Sequence, residues 1–207
     1  MFLRTENFKT FIRRYPIVSL FLFIMILVYL LVFFDFFLNR YIGLNTGLGD
    51  LIIRFGLGVN ASISQGDWWL LITPIFLHTT FGHILFNAFS LYIFGPGLEY
   101  ILGKWKFAIA FIGSGVISNI VSYFIESQNF AHLGASSALF GLFGLYLYLI
   151  LFRKELLSSQ DRTIIMIIMI ISLISTFIYP NIDILGHLFG FLGGLILAPI
   201  VFIKKAH

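Results

Sequence analysis

Six stretches of this chain carry no charged residue: 15–34, a long one between Asp67 and Glu99, 107–125, 127–152, 163–182 and 184–203. A helix needs roughly 20 mainly apolar residues to cross the hydrocarbon core of a bilayer. The pattern therefore predicts an all-α membrane protein with six spanning helices. The second stretch opens with a non-helical lead-in, because Pro74 and the polar pair Thr79 and Thr80 suit a loop; its helix is expected to start near His78. The fourth also opens as a loop over residues 128–133. Its apolar periodicity begins with the small residues Gly134, Ala135, Ser136, Ser137 and Ala138. The first stretch follows Arg4, Lys9, Arg13 and Arg14, as a signal peptide would. It is too long for a signal's apolar region and no small-x-small cleavage site follows, so it reads as a retained span.

One long connection, 36–76, separates the first two spans. It contains Gly43, Gly47, Gly49, Gly56 and Gly58 and ends near Asp67-Trp68-Trp69. Loops of this length are usually functional or disordered. Its apolar positions (Leu51, Ile52, Ile53, Phe55, Leu57) and paired indoles predict a segment lying in the membrane interface.

Composition agrees with the pattern. Of 207 residues 59% are hydrophobic and 11% charged, against about 25% charged in soluble proteins. The whole chain, 1–207, is expected to be one membrane domain, with 1–14 as a cytoplasmic segment. No cysteine is present, which excludes disulfides and thiolate metal sites. A net charge of +4 is no nucleic-acid footprint, and the surrounding partner is the lipid bilayer. The placement of charge says more than its sum. Arg4, Lys9, Arg13 and Arg14 precede the first span; Lys104 and Lys106 lie between the second and third; Arg153, Lys154 and Arg162 lie between the fourth and fifth; Lys204 and Lys205 follow the sixth. All fall on one side if both termini are cytoplasmic, with Arg40 and Arg54 opposite, in a multi-pass protein of the cell membrane.

That orientation has a chemical consequence. The second, fourth and sixth spans run inward from the outer side, so their first turns share one depth. His78, His83, Asn87, Ser136, Ser137 and His187 all sit there. Gly190 and Gly194 follow His187 on its own helical face, leaving a bare backbone surface. The fourth span offers a matching one in Gly134 with Ala138, and Ser137 with Gly141 and Gly144. Docking those surfaces would bring the Ser136 hydroxyl beside the His187 imidazole. A serine needs such a base to act as a nucleophile. His83 and Asn87, four apart, face one way from the second span and could donate to an oxyanion. The same residues also fit a structural polar cluster, or an ion path. A metal site is disfavoured, since His78 and His83 are five apart, on different faces, with no carboxylate at ligand spacing.

At this point the chain resembles the rhomboid intramembrane serine proteases. The resemblance rests on His83-x-x-x-Asn87, on Gly134-Ala135-Ser136, and on His187-x-x-Gly190-x-x-x-Gly194, in that order. It covers nearly the whole chain and implies a compact six-helix bundle. It further implies Ser136 as nucleophile, His187 as general base and then acid, and His83, Asn87 and the Ser136 N–H around the oxyanion. Gly134, Phe140, Gly190 and Gly194 would support them, and no metal or cofactor is called for. Gly95-Pro96-Gly97-Leu98-Glu99 with Gly103 matches a segment where the family often has a hydrogen-bonded structural glutamate. Three positions depart from the pattern. Ser137 stands where glycine is common, Phe140 where a histidine-stacking tyrosine is common, and Leu70 follows Trp69 where arginine is common. The implied substrates are membrane proteins cut in or near their spanning segment, reached between the second and fifth helices beside Phe177 and Tyr179. The alternative is a rhomboid-like pseudoprotease that binds clients uncut; it is disfavoured by the presence of both Ser136 and His187. A transporter would show charges or broken helices at mid-membrane. Asp183, four residues before His187, reads as a helix cap and not as a third catalytic group. His132 reads as a non-catalytic neighbour able to respond to pH.

Overall fold

A computed structural model describes residues 5–178 and 182–203; Arg4, Tyr179, Lys204 and Lys205 lie outside the described residues. A short helix α1 (Phe8–Arg14) leads into α2 (Pro16–Ile42). Then come two short helices, α3 (Leu48–Gly56) and α4 (Asn60–Ser64), and two 3-10 turns, Trp68–Leu71 and Thr73–Phe76. The remaining helices are α5 (Phe81–Leu102), α6 (Lys104–Ile125), α7 (Ser136–Phe152), α8 (Ser159–Ile178) and α9 (Ile184–Val201). Among the described residues α2, α5, α6, α8 and α9 are long and apolar enough to cross a membrane, and α7 is a shorter apolar helix. With wide apolar surfaces on α2, α5 and α8 left exposed, this is a multi-pass membrane protein.

Helix α7 is the hub. From Ser137 to Tyr146 every residue is buried. It packs on α9 through glycines: a methyl added at Gly190 would overlap the Ser137 carbonyl, one at Gly194 the Gly141 backbone, and one at Gly144 the backbone of Phe191 and Leu195. Backbones this close allow Cα–H···O contacts and dispersion over the whole face, which hold helices together where water is absent. Gly141 also faces Ser114 of α6, and Gly115 of α6 faces Ala138 and Ile75. On the α5 side, Tyr146 donates to the Phe94 carbonyl at 2.7 Å, and the Phe94 and Phe143 rings meet edge to face with centroids 5.0 Å apart. Gly134, expected on the α9-facing surface, faces His83 of α5 instead. It precedes α7 in a turn, so helical periodicity does not govern its direction.

Helix ends depart from expectation. Helix α6 starts at Lys104 and α8 at Ser159, so Lys104, Lys106 and Arg162, expected between spans, lie in the first turns of helices. Two further departures bear on the fold. The first span was expected to end by Phe34, but α2 continues to Ile42 and includes Asp35. The chain folds back after Gly43 (φ 72°), so that Asp35 accepts from Gly49 N–H at 3.0 Å and from the Thr46 hydroxyl. Its charge caps α3 and so is tolerated in the helix. In the second span α5 starts at Phe81 and not near His78, because Leu77 and Thr80 are extended and His78 turns inward. The connection 36–76 is thus largely helical and folded. Gly58–Val59 (β1) pairs antiparallel with Ala131–His132 (β2), and Asn60 Nδ2 caps the end of α6 through the carbonyls of Ser122, Glu126 and Ser127. Leu70, in place of a charged anchor, is 1% exposed. Asn119 of α6 holds the next residue's carbonyl at 2.8 Å.

The start of α2 shows a complete hydrogen-bond account. Pro16 at the first position has no N–H to satisfy. Ile17 and Val18 donate to the two oxygens of Glu99, at 2.9 and 2.8 Å, and Ser19 N–H returns to the Tyr15 carbonyl. Glu99 is buried, and the helix dipole favours its charge there. Bonds to a charged group contribute about 1.5–3 kcal/mol each. Glu99→Ala should therefore lower unfolding free energy by about 3 kcal/mol, and Glu99→Gln, with one acceptor oxygen left, by less. Unfolding in detergent micelles measures both; equal stability of all three proteins would contradict the capping role.

Candidate active site

Three helix beginnings converge on one cavity of about 830 Å³, lined by His83 and Asn87 of α5, Ser136 of α7 and His187 of α9, with Thr80, His132 and Asp183. Of the six polar residues expected to meet, these four do. Ser137 is buried with its carbonyl against Gly190, and His78 lies behind the cavity wall, 0% exposed.

The turn before α7 aims Ser136. Gly134 has φ 104°, and a side chain there would strike the His83 ring, so glycine is required on both counts. Its N–H donates to the Pro74 carbonyl at 2.8 Å, fastening the 3-10 segment to the turn. Ala135 caps α7 without a side-chain bond, and the first return bond is Leu139 N–H to the Ala135 carbonyl. Among the described residues the N–H groups of Ser136, Ser137 and Ala138 thus have no backbone acceptor and form the open first turn of a helix, where negative charge is favoured.

His187 is held on three sides. Phe140, one turn along α7 from Ser136, stacks on its ring with centroids 4.1 Å apart and planes 16° from parallel. Its backbone begins α9 under the Asp183 cap, whose Oδ1 accepts from Gly186 N–H at 2.7 Å. Burial holds the Asp183 carboxyl above its usual range. The Nδ1 of His187 lies 2.9 Å from the hydroxyl of Thr176 on α8, so the third place beside the imidazole belongs to Thr176 and not to Asp183.

Asn87 is also positioned. Its Nδ2 lies 2.8 Å from His78 Nε2, and His78 Nδ1 lies 3.3 Å from the Phe76 carbonyl. With Nδ1 protonated toward that carbonyl, Nε2 accepts from Asn87 and, at 3.4 Å, from Ala135 N–H. One amide N–H of Asn87 is thereby used and the other is left for the cavity. The rings of His78 and His83 stand edge to face, centroids 4.8 Å apart, and among the described residues no group of three His, Cys, Asp or Glu forms a metal-holding cluster. His132, expected in a loop, is in strand β2; it stacks on Phe130, and its two buried ring nitrogens have no hydrogen-bond partner among the described residues.

Sequence reasoning missed Thr176 altogether, and it placed His78 among the polar residues at one depth without seeing it as the partner of Asn87. The one signal for Thr176 is a hydroxyl group, beside Ser172 and Ser175, in an isoleucine-rich span. Such hydroxyls commonly bond their own helix.

Residues 65–204 match the Rhomboid domain family. Over 99% of its length the chain is 42% identical to YdcA of Bacillus subtilis (strain 168), a candidate rhomboid protease by name, and the match covers 98% of that protein. It is 34% identical over 76% of its length to rhomboid protease GluP of the same organism, covering 31% of GluP. To Rhomboid-like protease 1 of Toxoplasma gondii it is 30% identical over 70% of its length, covering 51% of that protein.

Two histidines outside the spanning helices, His78 fully buried and His132 partly buried with its ring nitrogens enclosed, give the fold a pH dependence. Burial, reinforced by nearby His83, lowers the His78 imidazole to about 3, and burial lowers His132 to about 4. An unfolded histidine titrates near about 6.5. Between these values the unfolded chain takes up protons that the folded chain refuses. Stability is then full above about pH 6.5 and falls toward pH 4, by up to about 1.4 kcal/mol per pH unit for each histidine. Unfolding midpoints measured across that window should drop, and His132→Phe should remove the His132 share. A midpoint independent of pH would contradict the buried neutral state.

Proposed function

The chain belongs to the rhomboid family and is a rhomboid-type serine protease; on that premise we propose that it cuts membrane proteins in or near their spanning segments with Ser136 and His187. The observation that carries this reading is the shared cavity, in which Ser136, His187, His83 and Asn87 meet from three helices. His187 takes the proton of the Ser136 hydroxyl as its oxygen attacks the scissile carbonyl carbon. The carbonyl oxygen becomes an oxyanion, held by the Ser136 N–H, the free amide N–H of Asn87 and His83. Protonated His187 then gives its proton to the leaving amine as the C–N bond breaks. Water, deprotonated by His187, hydrolyses the acyl-serine and restores the hydroxyl. Gly134, Gly190 and Gly194 set the separations and Phe140 orients the imidazole.

Six helices cross the bilayer in this reading, α7 included, with both termini cytoplasmic and residues 36–76 on the outer side. At 17 residues α7 is about 26 Å long, short of a hydrocarbon core of about 30 Å. Its start therefore lies below the membrane surface, where the cavity supplies the water that hydrolysis needs. Substrates reach it between α5 and α8, beside Phe177. A substrate helix must unwind locally there, since its peptide bonds are shielded by their own hydrogen bonds.

Purified protein in liposomes with a single-span substrate tests the assignment. Ser136→Ala and His187→Ala should abolish cleavage, and Asn87→Ala should lower kcat by about 100-fold, the loss of one oxyanion donor. A fluorophosphonate should label Ser136. Cleavage persisting in Ser136→Ala, or labelling of another residue, would refute it.

A further inference from the structure

Thr176 carries a polar contact from α8 to α9. The buried residues of α8 are Asp161, Ile165, Met169 and Thr176, a single seam along one side, while Ile167, Ile171, Ile174 and Phe177 are exposed. Thr176 is the polar member of that seam at the end nearest the cavity, 2% exposed. Its Oγ1 makes two contacts, one to the Ser172 carbonyl of its own helix at 3.0 Å and one to His187 Nδ1 at 2.9 Å.

A threonine hydroxyl has one hydrogen and two lone pairs. The Ser172 carbonyl can only accept, so both contacts are hydrogen bonds at once in one arrangement: the hydroxyl donates to Ser172 and accepts from His187. We infer that Thr176 is a positioning residue that keeps the proton of neutral His187 on Nδ1 and so leaves Nε2 as the free base. This rests on the reading of His187 as the base for Ser136. It deepens that reading by assigning the third partner, a neutral hydroxyl on a different helix, where serine hydrolases of other folds place a carboxylate. The other tautomer would carry its hydrogen on Nε2 and could not take the serine proton. The Phe140 stack holds the ring plane but does not choose between the two nitrogens, since it bonds neither. The choice therefore falls to α8, and the base is ready when the seam through Ile165, Met169 and Thr176 is closed.

Two substitutions separate hydrogen bonding from packing. Thr176→Val keeps the branched shape and removes the acceptor; Thr176→Ser keeps the acceptor and removes a methyl. With the full chain in liposomes, Thr176→Val should lose about tenfold or more in kcat with KM little changed, and Thr176→Ser should keep most of the rate. In ¹⁵N-histidine-labelled protein, His187 should show a protonated Nδ1 and a bare Nε2 in the unaltered chain and in Thr176→Ser, and a mixture in Thr176→Val. A wild-type kcat in Thr176→Val, or a loss that serine does not restore, or an unchanged tautomer, would overturn the inference. Ser136→Ala run alongside keeps the two claims apart. If it still cleaves, the dyad has failed, and the ring signals of His187 still decide whether Thr176 is its acceptor.

Discussion

The closeness of α7 and α9 is the constraint on which the rest depends. Gly141, Gly144, Gly190 and Gly194 let two backbones touch without intervening side chains, and in a bilayer such contact replaces the hydrophobic effect as the source of association. A serine and a histidine are short. They line one cavity from separate helices because the helix axes are this near, and Phe140 can lie on His187 at 4.1 Å for the same reason. The shape of the cavity between the two helices follows from four absent side chains.

Around that seam, the outer segment acts as a frame. The Pro74 carbonyl holds Gly134, β1 pairs with β2 beside His132, and Asn60 closes the end of α6. Each of these bonds satisfies a backbone group near the ends of helices that surround the cavity, where an unpaired group would be costly. Three partners then orient the polar side chains: His78 for Asn87, Asp183 for the start of α9, and Thr176 for His187. Fixing donors before substrate arrives is what makes electrostatic stabilisation of a transition state effective.

Much of this was legible along the chain, and the limits are physical. Helical spacing marks Gly190 and Gly194 as one face with His187, and the alternating direction of spans anticipates three helix beginnings around one cavity. The cap at Asp183 follows from its place before an apolar run. The direction of Gly134 was misjudged because a residue with positive φ in a turn obeys no helical period. Thr176 was missed since a hydroxyl in a span is satisfied locally in most cases, and its pairing with His187 exists only once α8 and α9 have packed. The extension of α2 past Asp35 was hidden likewise, because the groups that satisfy the carboxylate arrive from Thr46 and Gly49, after a reversal that local pattern does not announce.

The central claim, that backbone contact between α7 and α9 builds the site, has a direct measurement: the rate at which a fluorophosphonate labels Ser136 in Gly194→Ala, with Gly82→Ala as control. A methyl at Gly194 meets the Gly141 backbone, while one at Gly82 meets nothing within 4 Å. Labelling should fall by about tenfold or more in the first variant, as a shift of the helices by a fraction of an ångström separates serine from base, and stay unchanged in the second. Equal labelling of Ser136 in Gly194→Ala and the unaltered protein would contradict the account.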